Sequence, residues 1–108
     1  MSVFCWNVRG MNDKIRRQDI KDQIMKLKPS VVGLIETKVK YENSKRIVNC
    51  MLNNLYHCNN YCHSAKGRIL VMWDMKIWSG SLIDVSSQQI TVKLRNNGGF
   101  LFLLSVVW

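Results

Sequence analysis

The stretch Val31-Val32-Gly33-Leu34-Ile35-Glu36-Thr37-Lys38 decides how this chain is read. Its first five residues are apolar without alternation, the pattern of a strand covered on both faces. A carboxylate, Glu36, follows at the C-terminal end of that strand, where it needs water, an ion pair or a cation. Just upstream, Pro29 ends the preceding helix, because the residue before a proline avoids the α region. That helix is expected to run to about Lys28 from Asn12 or Asp13, either of which can cap it. Ile20, Ile24 and Leu27 fall at i, i+4 and i+7, with Ile15 and Met25 beside them. Lys14, Arg16, Arg17, Lys21 and Lys26 take the other face, the usual solvated side of an outer helix. Further upstream, Ser2–Val8 is a second apolar strand expected to be buried on both faces, and Arg9-Gly10-Met11-Asn12 breaks it.

Downstream, a second helix is expected over Glu42–Asn54, with Ile47, Met51 and Leu55 on one stripe. Strand, helix, strand, helix is the order of an α/β layered architecture. From Tyr56 the rhythm changes to strands: Tyr56–His63, Arg68–Trp73, Ser81–Ser86, Gln89–Arg95 and Phe100–Val107. Asn96-Asn97-Gly98-Gly99 is a hairpin signal, since Asn and Gly accept positive φ. Ile90, Val92 and Leu94 alternate with Thr91, Lys93 and Arg95, so that strand shows one face to polar surroundings. Without repeats, low-complexity tracts or a linker, residues 1–108 are expected to form one domain. The apolar segment from Phe100 to Trp108 needs layers on both sides. It therefore points to an incomplete domain, or to a partner chain covering an exposed face.

The chain carries 16 Lys and Arg against 7 Asp and Glu, a net charge of +9 in 108 residues. Such an excess favours polyanionic partners, nucleic acid foremost. No apolar run reaches the roughly 20 residues of a membrane span, and Met1 to Asn7 has no basic leader region, so neither a membrane nor a secretory role is expected. The four cysteines are then expected to be reduced. Cys58, Cys62, His57 and His63 could gather a zinc ion, but no paired CxxC occurs, so no zinc is expected. Trp73 and Trp78 are expected in the core or at its edge rather than as base-stacking platforms.

Two polar residues end apolar strands, Asn7 and Glu36. In α/β proteins functional groups collect at the C-terminal ends of strands. Glu36 can be an oxygen ligand for a hard divalent ion such as Mg²⁺, or it can simply pair with Lys38 or a nearby arginine.

Four segments carry a resemblance. Trp6-Asn7-Val8-Arg9-Gly10-Met11-Asn12, Ile35-Glu36-Thr37-Lys38, Gly67-Arg68-Ile69-Leu70-Val71-Met72-Trp73-Asp74 and Leu104-Ser105-Val106-Val107-Trp108 follow one another in order. Together they resemble the N-terminal part of the endonuclease/exonuclease/phosphatase (DNase I-like) superfamily, in particular the endonucleases of plant LINE-type retrotransposons. The resemblance implies an α/β fold: the N-terminal part of a four-layer α/β sandwich with two stacked mixed sheets. It implies a hydrolase of phosphate esters using Mg²⁺ or Mn²⁺, with Asn7 positioning phosphate and water and Glu36 holding the metal. Arg9 stands where many relatives carry an acid. Arg9, Lys38, Lys40, Lys66 and Arg68 are the expected nucleic-acid contacts, DNA before RNA, within the cell and in the nucleus if DNA is the substrate. The family's later motifs, a Tyr-Gly turn, an Asp-x-Asn pair and an Asp-His pair, have no counterpart here, so the chain is expected to be inactive alone. A basic nucleic-acid-binding remnant is the alternative, and a poorly folding gene fragment a third.

Overall fold

The computed structural model describes residues 3–40, 42–43, 46, 55–60 and 69–108. It contains, in order, β1 (Val3–Asn7), α1 (Lys14–Leu27), β2 (Val31–Ile35), β3 (Leu55–Asn59), β4 (Ile69–Asp74), β5 (Trp78–Val85), β6 (Gln89–Asn96) and β7 (Leu101–Val107). Two sheets form. One has the order β1-β2-β4-β3 and is mixed, β1 and β2 being parallel and the remaining pairs antiparallel. The other, β5-β6-β7, is antiparallel throughout, where a second mixed sheet was expected.

Asp13 caps α1 as the sequence implies, its side chain accepting a hydrogen bond from the Ile15 amide at 2.8 Å. At the other end Lys28 turns into the left-handed region and ends the helix before Pro29. The buried stripe of α1 is narrower than its periodicity suggests. Only Ile20 and Ile24 are buried, while Ile15, Met25 and Leu27 stay exposed. The layer between helix and sheet is completed by loop residues, Val8, Met11 and Val39, together with Val32, Leu34, Leu70 and Met72. Arg17 is not merely a solvated charge, since its guanidinium donates to the carbonyls of Met11 and Asn12.

The other face of the four-stranded sheet packs on the three-stranded one. Val31, Ile69, Val71 and Trp73 meet Trp78, Ile90, Val92, Leu94 and Val106. Trp73 and Trp78 are both buried in this inter-sheet core. Trp78 packs edge-to-face on Phe102 and donates its indole N–H to the Ser30 hydroxyl at 3.0 Å. Gly80 is required there because a Cβ would lie 2.6 Å from the Trp73 ring. Asn60 ties the sheets at one end. It is wholly buried, donates to the carbonyls of Ser86 and Ser87, and accepts from the Ile69 amide.

Three expectations are corrected. β1 and β7 are not buried on both faces but alternate, because each is an edge strand hydrogen-bonded on one side only. Leu55 does not extend a helical stripe; it opens β3. Of the helix expected over Glu42–Asn54, Glu42, Asn43 and Arg46 are helical and its other residues lie outside the described ones.

Candidate active site

The parallel pairing of β1 and β2 sets Asn7 opposite Ile35, so the strands end together and Glu36 follows at once. The two exits then stay joined. The Val8 amide donates to Ile35 O at 3.0 Å, Gly10 to Glu36 O at 2.7 Å and Met11 to Thr37 O at 2.8 Å. The Asn12 side chain continues the ladder by donating to Lys38 O at 2.8 Å. Sequence-distant residues are thus fixed side by side, mainly by backbone bonds.

The backbone here is strained. Arg9, Glu36 and Lys38 all have positive φ, 53°, 57° and 54°, besides Gly10 at 104°. L-residues in this region cost roughly 1–2 kcal/mol each, and such outliers persist only where the surroundings over-determine them. The surroundings do so here. Thr37, between the strained and more exposed Glu36 and Lys38, and Val39, directly after Lys38, are buried, and every strained loop residue lies within the hydrogen-bonded ladder.

Asn7 is exposed, and its Oδ1 accepts from the Arg9 amide at 3.2 Å, an Asx-type turn that fixes the carboxamide. Glu36 is half-buried. Its Oε1 accepts from the Trp108 indole N–H at 3.2 Å, a contact from the end of β7 in the other sheet. Among the described residues no cation pairs with Glu36, so the indole, not Lys38, is its partner. Beside Asn7 an open cleft of about 280 Å³ runs between the sheets, lined by Cys5, Trp6, Asn7, Gly33, Ile35, Ser105, Val106 and Val107.

Of the expected cationic contacts, Arg9, Lys38 and Lys40 are exposed around these strand ends. Lys66 and Arg68 lie outside the described residues. So do Cys62 and His63 of the zinc reading. Cys58, in β3, has its thiol pushed up to about 11 by burial, which keeps it protonated and a poor metal ligand. Among the described residues no cluster of three or more His, Cys, Asp or Glu is formed. For a magnesium ion the donors are nonetheless of the right kind, since that ion is commonly held by one or two carboxylates with water and substrate phosphate filling the rest. Glu36 supplies one such carboxylate. Sequence reasoning missed the Trp108 contact and the three strained residues. An indole at the end of an apolar strand signals a polar partner, but nothing in Arg, Glu or Lys as residue types foretells a positive φ.

Solved structures share this fold. The human Nocturnin catalytic domain with bound sulfate matches 97% of the chain with a TM-score of 0.68 at 10% identity. A humanized D. rerio TDP2 matches 97% with a TM-score of 0.68 at 12% identity. An endonuclease/exonuclease/phosphatase family protein from Bacteroides thetaiotaomicron matches 97% with a TM-score of 0.66 at 14% identity. The chain shares the fold of these structures, two stacked sheets with a helix packed on the outside. The chain spans about half the length of these neighbours, 48%, 48% and 49% in turn. No family model matches the sequence, and no curated protein matches it.

Proposed function

We propose that this chain is the N-terminal portion of a magnesium-dependent phosphodiesterase domain, an endonuclease of the LINE retrotransposon kind, inactive by itself. One observation carries most of the reading: Asn7 and Glu36, from different strands, stand together at the C-terminal ends of two parallel neighbours within a strained, hydrogen-bonded loop pair. Glu36 would hold Mg²⁺ or Mn²⁺ through its carboxylate, oriented by the Trp108 indole. When bound, the ion supplies polarisation of a phosphoryl oxygen and charge stabilisation on the leaving oxygen. Asn7 would orient the phosphate and the attacking water. Arg9, Lys38 and Lys40, with Lys66 and Arg68, would neutralise backbone phosphates of nucleic acid, DNA before RNA. Acting on DNA, the protein would work in the nucleus. A general acid and base, roles that neither Asn7 nor Glu36 takes in this reading, would contribute about 10²–10⁴-fold in rate. A further chain covering the open side of the sandwich belongs to the same reading.

The net charge of +9 favours a second reading, a nucleic-acid-binding remnant without chemistry. Fluorescence anisotropy with a labelled DNA duplex and plasmid nicking with Mg²⁺ test both. Affinity is expected to fall with salt, and Lys38→Ala or Lys40→Ala to reduce the salt slope by about 1 each. Salt-independent binding would sink both readings. Mg²⁺-dependent nicking abolished by Glu36→Gln would refute the inactivity of the chain alone.

A further inference from the structure

β3 and β5 are the sheet edges farthest from β1 and β7, and between them the inter-sheet core opens. Tyr56 in β3 stands opposite Trp73 in β4, so both rings share the face turned toward the second sheet. Their centroids are 4.7 Å apart and their planes are tilted by 35°. Trp73 is buried there against Gly80 of β5, whereas Tyr56 is 49% exposed. The Tyr56 ring fronts an open cleft of about 390 Å³, walled by Met75 and Ile77 from the β4–β5 turn, Ser79 from β5 and Asn97 from the β6–β7 turn. That volume falls within the roughly 300–1,000 Å³ typical of small-ligand clefts.

The chemistry of this cleft selects among occupants. An exposed aromatic ring backed by a buried one offers a stacking face to a planar ring. The exposed Asn97 carboxamide donates and accepts at once, which matches the N6 and N7 edge of adenine. The exposed charge beside the cleft is positive. Lys76 stands exposed between Met75 and Ile77, and Arg95 stands exposed across from Ser79. Asp74, the carboxylate beside this turn, is folded onto its own loop and accepts from the Lys76 amide at 2.9 Å. A proline-rich peptide would use the aromatic ring but not the cations, whereas a nucleotide uses both. We infer that the cleft holds one unstacked base of a nucleic-acid single strand, adenine before the others, on the Tyr56 ring, with the flanking phosphates on Lys76 and Arg95. The inference rests on the nucleic-acid partner of the proposed function and on nothing else in it. The cleft lies at the Trp73 end of β4, roughly 13 Å along the strand from Ile69, which pairs with Ile35 beside Glu36. Trp73 and Trp78 are buried and back the site without touching the base.

Fluorescence anisotropy with labelled single strands of matched length, oligo(dA), oligo(dT) and an abasic backbone, tests this on the full chain. Oligo(dA) is expected to bind most tightly and the abasic strand least. Tyr56→Val keeps an apolar strand former and should weaken oligo(dA) by at least about five-fold, the low end of stacking on one aromatic ring, while leaving the abasic strand unchanged. Tyr56→Phe keeps the ring and should bind as the wild type does. Asn97→Ala, in an exposed turn, should bring oligo(dA) down to the level of oligo(dT), and Lys76→Ala should reduce the salt slope by about 1. Equal affinity for oligo(dA) and the abasic strand overturns the inference. So does undiminished oligo(dA) affinity in a Tyr56→Val chain with the wild-type circular dichroism spectrum, or an adenine preference that survives Asn97→Ala. Binding of a proline-rich peptide that Tyr56→Val abolishes, while all three strands bind alike, overturns it in favour of a peptide site. The effects of Lys38→Ala and Lys40→Ala on duplex binding are read separately, so this inference and the proposed function can fail independently.

Discussion

Replacing Lys38 by glycine should stabilise the protein, although glycine destabilises most ordered positions. Lys38 has a φ of 54°, an exposed side chain, and a backbone carbonyl that accepts from Asn12, a bond the substitution leaves in place. Relief of the left-handed backbone returns roughly 1–2 kcal/mol. The greater freedom of glycine in the unfolded chain costs about 0.5–1 kcal/mol. The difference favours the variant by about 0–1.5 kcal/mol, centred near 0.75 kcal/mol, or a rise in Tm of roughly 3–6 °C at that centre for a domain of this size. Lys93→Gly provides the contrast. Lys93 is equally exposed but lies in β6 between Ser81 and Leu103, with no positive φ to relieve, so its replacement should lower Tm by a similar amount. Thermal unfolding followed by circular dichroism measures both. A fall in Tm for Lys38→Gly comparable to that of Lys93→Gly would refute the strain argument, because the loop would then not hold Lys38 in the left-handed region.

Other consequences are more local. Gly80→Ala should cost about 1–3 kcal/mol through overpacking, since its Cβ would lie 2.6 Å from the Trp73 ring and 2.8 Å from Leu94, and a urea midpoint unchanged from wild type would contradict this packing. Asn60→Ala removes the bonds to Ser86, Ser87 and Ile69 and strands the Ile69 amide in the interior, at a cost of about 3 kcal/mol read by the same titration. Burial raises the Cys58 thiol to about 11, so mass-mapped alkylation at pH 8 should label the exposed Cys5 well before Cys58, with Cys58 labelling rising only as pH climbs toward that value. Equal labelling of the two at pH 8 would mean that Cys58 is not buried in solution.

Much of this architecture was legible because the elements that make it are local. β2 was read with its bounds intact, the Asp13 cap and Pro29 bracket α1 as expected, and the strand series from β4 to β7 follows its turn residues within a few positions. What the sequence concealed is relational. An apolar run such as that of β1 or β7 looks the same whether both faces are covered or only one, because its pairing partners decide that and lie far away in the chain. The same limit hid Asn60, whose three bonds join segments that share no pattern. Asn7 and Glu36 stand out in the sequence by their positions at strand ends, and the structure sets those ends side by side. The indole of Trp108 and the positive φ of Arg9, Glu36 and Lys38 depend on how two loops and two sheets meet, which no single stretch encodes.

The central claim is that Glu36 is placed to hold a divalent ion, and Mn²⁺ binding followed by electron paramagnetic resonance tests it most directly. Glutamine keeps the Oε1 acceptor for the Trp108 indole while removing the charge, so the Glu36→Gln loop should stay intact. The account predicts that the folded wild-type chain quenches the free Mn²⁺ signal saturably and that the Glu36→Gln chain does not. Equal quenching by both, or none by a chain shown to be folded, would contradict it.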